Sequence, residues 1–199
     1  MENKKYIDAI FCCSNNFDIN NYKINPDKIY CLNIVNDFFD NNNKLLNLPK
    51  NIIKIYIDSK FYNLNNFDPH INLLSIKMAQ NLILIPPTIK KLYISDKYLN
   101  LHPDILHFLQ YGIQSIELRM DNSTQINLNY LPDSINKIVI ILTYYDSNNI
   151  NENANVIFDK FYPNLKTFKI YDMCQYRTKV RINNIDNIMK NYPNLEIFN

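Results

Sequence analysis

The chain has 199 residues, enough for one domain with a buried core, and 47% are hydrophobic, so its many asparagines do not imply disorder. A single glycine excludes the glycine-rich phosphate loop, the dinucleotide fingerprint and the nucleophile elbow, each of which needs glycine for close backbone approach. A net charge of +2 is too small to imply nucleic acid or an anionic membrane as a partner. The first residues carry Asp8 inside a short apolar run, which is neither a secretory signal nor a membrane span. The expected setting is therefore cytoplasmic, with reduced thiols and an unglycosylated Asn122 sequon.

Along the chain one pattern recurs: an apolar anchor, with further apolar residues at +3 and +5. The anchors are Ile7, Ile29, Ile52, Leu73, Ile89, Ile113, Ile135, Leu165 and Leu195. Leu92 and Ile94 illustrate the +3 and +5 positions after Ile89, as Ile138 and Ile140 do after Ile135. Alternation of these with mostly polar +2, +4 and +6 positions predicts a short strand with one buried face. Strands recurring mostly at 20 to 30 residues predict a solenoid, because each coil alone cannot bury its inward side chains. Nine stacked strands would span about 38 Å.

Pro26, Pro49, Pro86 and Pro132 each stand three residues before an anchor, where a fixed φ turns the chain into the strand. A further apolar column at +9 comprises Phe38, Phe61, Leu82, Tyr98 and Tyr144. Helical spacing predicts helices over 103–111, capped by Gly112, over 154–162 and over 185–192. Asn122 breaks the +9 column, making the sixth unit irregular, and the 16 residues from Leu73 to Ile89 are short for a unit, which points to Leu73 or its neighbours being out of register.

The sequence Leu131-Pro132-Asp133-Ser134-Ile135-Asn136-Lys137-Ile138-Val139-Ile140 resembles the FNIP repeat, a leucine-rich-repeat relative common in slime moulds and amoeba-infecting giant viruses. Ile85-Pro86-Pro87-Thr88-Ile89-Lys90-Lys91-Leu92-Tyr93-Ile94 is a second clear copy, and the likeness covers about 24–146. The family's glycine at +6 is Asp58 and Ser95 in this chain, and its Phe-Asn pair is Phe61-Tyr62 and Tyr98-Leu99. The expected architecture is an α/β, leucine-rich-repeat-like solenoid occupying 1–199 as a single repeat domain. It has one curved parallel sheet of about nine short strands, with loops and short helices on the opposite face. FNIP-like units span about 7–146, and longer helix-containing units about 147–199. The resemblance implies a protein-interaction scaffold, viral or slime-mould in type, working in the host cytoplasm if viral.

If +3 and +5 point inward, then +2, +4 and +6 form an exposed face. Its middle carries Lys54, Tyr56, Lys77, Lys91, Tyr93, Arg119 and Lys137, and its far end Lys169 and Tyr171. This stripe is the expected surface for an unidentified protein partner, with the tyrosines as rigid amphipathic anchors. The bland alternative is a face made soluble by lysine. Nucleic acid or a phosphorylated ligand bound by the Lys/Tyr stripe, and a self-assembling structural role, are the other readings. The strand at the C-terminal end, with Ile197 and Phe198, predicts a homodimer through an open edge.

At the N-terminal end the same face is apolar (Phe11, Cys13, Cys31, Val35). Cys12 is expected inward as a small core residue, and Cys13 and Cys31 lie too far apart along their strands for a disulfide. No Cys-x-x-Cys pair exists, and His70, His102 and His107 lack helical metal-site spacing. No acid pair or nucleophile with its base assembles on neighbouring positions. Catalytic residues, metal and cofactor are therefore all expected to be absent.

Overall fold

The computed structural model describes residues 7–12, 23–34, 48–58, 70–79, 83–121, 125–143, 155–173, 181–182, 190–192 and 196–198. Every repeat unit contributes a strand. In chain order these and three additional strands are β1 (Ile7–Cys12), β2 (Ile29–Ile34), β3 (Ile52–Asp58), β4 (Leu73–Met78), β5 (Lys91–Ile94) and β6 (Ser115–Met120). They continue as β7 (Gln125–Asn127), β8 (Lys137–Leu142), β9 (Asn155–Ile157), β10 (Thr167–Asp172), β11 (Arg181–Ile182) and β12 (Glu196–Phe198). The main sheet has the order β1-β2-β3-β4-β5-β6-β8-β10-β12, all pairs parallel, with β1 and β12 as its edges. The fold is α/β, with an open parallel sheet and few helices.

The inward columns pack as the alternation predicts. Leu32, Ile34, Ile55, Ile57, Ile76, Leu92, Ile94, Ile116, Leu118, Ile138, Ile140, Phe168 and Ile170 are all buried in one hydrophobic core. At roughly 25 cal/mol per Å² of apolar surface, this continuous stripe is what holds otherwise separate short strands together. Tyr98, in the +9 column, is fully buried, while Phe38, Phe61, Leu82 and Tyr144 lie outside the described residues.

The fourth unit departs from the expected register. Leu73 pairs with Lys54 on one side and Lys91 on the other, so it occupies the +2 row rather than the anchor position. The anchor is Ile71, fully buried, with Leu74 at +3 and Ile76 at +5. Lys77 thereby moves from +4 to +6. Met78, expected inward, is half-buried at the strand end, where the register shifts between Ile57 and Asp58.

Tight turns lead into β3, β5, β8 and β10. The anchor N–H of Ile52, Ile89 and Ile135 donates to the carbonyl of Pro49, Pro86 and Pro132 at 2.8, 3.1 and 3.1 Å. Proline suits this position because its carbonyl is needed and its absent N–H is not. In the eighth unit Tyr162 takes the same role, accepting from Leu165 at 3.1 Å. Just beyond each turn, one carbonyl accepts two successive amides of the next unit. The carbonyl of Lys90 receives the N–H of Gln114 at 2.8 Å and of Ser115 at 3.0 Å. Gln114 does the same for Asn136 and Lys137, and Asn136 for Lys166 and Thr167.

The return segments differ from the helices expected. A six-residue helix, α1 (Asp96–Leu101), leaves β5, with Ser95 as its N-cap accepting from the Tyr98 N–H. The segment 103–111 instead forms a 3₁₀ helix over Pro103–Phe108. Phe108, expected on its buried face, is exposed, while Ile105 and Leu109 are buried. Gly112 lies beyond the helix in a separate turn at φ 122°, a conformation L side chains rarely adopt. The helix expected over 154–162 is absent. Its Asn155–Ile157 stretch is β9, which joins β7 and β11 in a second parallel sheet of three strands, order β11-β9-β7. Strand is the physical choice there, since Val156 and Phe158 are buried two residues apart on either side of β-branched Ile157. Within 185–192 the described residues 190–191 are helical. No helix among the described residues is long and apolar enough to cross a membrane.

Candidate functional site

Parallel, in-register pairing converts the +2, +4 and +6 positions into rows that cross the sheet. The +4 row runs Asn33, Tyr56, Ser75, Tyr93, Glu117, Val139 and Lys169. Ser75 is the small member between two tyrosines, and above it lies a depression of about 460 Å³. Four successive strands line it: Lys54 and Tyr56 from β3, Ser75 and Lys77 from β4, Tyr93 from β5, and Glu117 and Arg119 from β6. Ser95, Asp96 and Lys97, at the start of α1, close its far side.

Of the stripe read from sequence, Lys54, Tyr56, Lys77, Tyr93 and Arg119 come together here. Lys91, Lys137, Lys169 and Tyr171 lie on the same sheet face but do not line the depression. Ile197 and Phe198 are in β12, the edge strand. Missed at the sequence level were Asp96 and Lys97, which follow the strand and reach the site through the turn into α1. Ser75, at +2 from Leu73, stands at +4 once Ile71 is the anchor, which puts it between the two tyrosines.

No protein-family model, curated protein or solved structure matches the chain.

The site has two electrical poles. Lys77 Nζ pairs with Asp58 Oδ2 at 2.7 Å, so the middle of the stripe is less basic than a count of lysines implies. Burial pushes the Tyr56 phenol above its ordinary range, against the pull of Lys77 and Arg119. Burial also raises Tyr93, and there Glu117 adds to the shift. Tyr56 thus sits at the cationic pole and Tyr93 beside the anionic one. Lys54 holds its ammonium 5.7 Å from the centre of the Tyr93 ring, a cation–π distance.

Three residues expected to be exposed on this face are buried. Val139 is flanked in register by Glu117 and Lys169, whose long stems suit covering it. Ala79 is buried just past the end of β4. Cys31 is a buried free thiol whose Sγ donates to Asn33 Oδ1 at 3.2 Å, and burial raises its pKa despite nearby Lys54. The side chains of Phe11 and Cys12, and all of Cys13, Val35 and Cys174, lie outside the described residues.

His70 lies in one unit, and His102 and His107 share the return segment of the next. His70 has a ring nitrogen 3.1 Å from the Pro49 carbonyl, His102 packs on Tyr98, and His107 stacks on Tyr130 at 3.4 Å. Among the described residues no three His, Cys, Asp or Glu side chains gather as metal ligands. The arrangement can recognise a ligand by aromatic contact and charge.

Proposed function

We propose that the chain is a leucine-rich-repeat-like solenoid of the FNIP kind, acting as a non-catalytic protein-interaction scaffold through the face carrying Tyr56 and Tyr93. One observation carries this reading: the depression over Ser75 is built from four consecutive strands, each contributing a side chain that packing does not consume. Repeat folds create such composite surfaces by stacking, and tyrosine with arginine is the side-chain mixture of interface anchors. Buried, free Cys31 fits a reducing cytoplasmic setting.

A pull-down from host-cell lysate tests the reading, comparing wild type with the Tyr56→Ala/Tyr93→Ala/Lys91→Glu variant. A partner retained by wild type and lost by the still-folded variant is the expected outcome. Equal recovery by both sinks the assignment of this face.

Self-association is a second reading, favoured by the position of β12 at the edge of the sheet. A strand at the edge of a sheet offers backbone groups with which a second copy can pair.

A further inference from the structure

This inference deepens the interaction reading and rests on it. We propose that the slot over Ser75 receives one carboxylate side chain from an acidic, extended segment of a protein partner. The slot's width follows from the register. Tyr56, Ser75 and Tyr93 are successive in one row, so two strand spacings, about 9.6 Å, separate the tyrosine backbones. The serine between them leaves room for the stem of an incoming side chain, with a phenol on either side.

Charge selects the group at the end of that stem. Lys54, Lys77, Lys97 and Arg119 line the slot, and Lys77 is already matched by Asp58. The other three cations face the carboxylates of Asp96 and Glu117, leaving an excess of one positive charge. No ion pair links Lys54, Lys97 or Arg119 to a carboxylate among the described residues. One carboxylate neutralises the excess. A phosphate, near −2 at neutral pH, overshoots it and meets Glu117 with its surplus charge. A nucleic-acid backbone meets the same repulsion repeatedly.

The test is titration of the ¹⁵N-labelled protein with three blocked octapeptides, identical except for a central Glu, Gln or phosphoserine. The Glu peptide is expected to shift the amides of Ser75, Lys77 and Tyr93, and the Gln peptide to leave them in place. Arg119→Glu should weaken binding roughly tenfold, and Glu117→Gln should tighten it about threefold, a gain that loss of a structural contact does not produce. Raising the salt should weaken the Glu peptide.

The proposal is overturned by equal shifts from the Gln peptide, by tighter binding of the phosphoserine peptide, or by no shift at millimolar Glu peptide. Shifts confined to another basic patch, such as Lys90 and Lys166 on the turn edge, overturn it as well. These failures are separable from failure of the broader reading. A partner that the triple variant loses, combined with a silent slot, leaves the face assigned and removes the carboxylate.

Discussion

Replacing Ile71 and Leu73 separately by alanine tests the register of the fourth unit. Ile71 is fully buried, whereas Leu73 is half-buried in the row shared with Lys54 and Lys91. Truncating a fully buried Ile costs about 3 kcal/mol, since the lost transfer energy is joined by the cavity left behind. Truncating a half-buried Leu forfeits about 1 kcal/mol of burial and opens no enclosed cavity. For a chain of this length each kcal/mol lowers Tm by roughly 2–4 °C. Ile71→Ala should therefore melt about 6–12 °C below wild type, and Leu73→Ala about 2–4 °C below. Differential scanning calorimetry reads both directly. A larger loss from Leu73→Ala would restore Leu73 as the anchor and refute the register.

Tyr98 should give the protein an alkaline weakness. Its hydroxyl accepts from the Ile83 N–H at 2.8 Å, and burial pushes its pKa up to about 12. The unfolded phenol ionises near 10 while the folded one stays neutral, so stability is complete below pH 10 and falls as pH rises toward 12. The loss is on the order of 2 kcal/mol, and Tyr98→Phe should flatten that part of the urea-midpoint-versus-pH curve. Gly112→Ala should destabilise by about 1–3 kcal/mol: φ is +122°, and a Cβ would meet the Pro87 carbonyl oxygen at 3.0 Å and Lys90 Nζ at 3.3 Å. A wild-type Tm for that variant contradicts the turn. Self-association through β12 predicts that removing residues 193–199 lowers the mass seen by sedimentation equilibrium. An unchanged mass removes edge pairing.

Sequence carried the strands well wherever only one set of residues could satisfy the alternation. Leu92 and Ile94 are flanked by lysine and tyrosine, so their burial follows from a period of two. Around Ile71 the same rule is ambiguous. Leu74, Ile76 and Met78 alternate with Ser75 and Lys77, and a slip of two residues preserves that alternation while moving the anchor from Ile71 to Leu73. Pro69 was the available signal, standing two residues before Ile71 as Pro163 stands before Leu165. The return segments were less legible. Short apolar runs such as Val156 to Phe158 fit a helix turn or a strand equally, and only pairing with β7 and β11 decides. The candidate site was half visible: rows of alternate residues are a local property, but the pairing of Lys77 with Asp58 depends on the strand-end register shift. So does the neighbourhood of Ser75.

The doubled acceptors at the strand starts give the molecule an interchangeable joint. The carbonyl of Lys90 holds two amides of the following unit, and the carbonyl of Gln114 holds the equivalent two of the unit after that. Excising residues 113–134 would bring Lys90 opposite Asn136 and Lys137, amides placed to use the same acceptor. Ile89 and Ile135, both fully buried anchors, would become neighbours without a change of register. The seam in the main sheet is thus common to successive units, whereas the second sheet is bound to one length: the same excision would remove β7, the partner of β9.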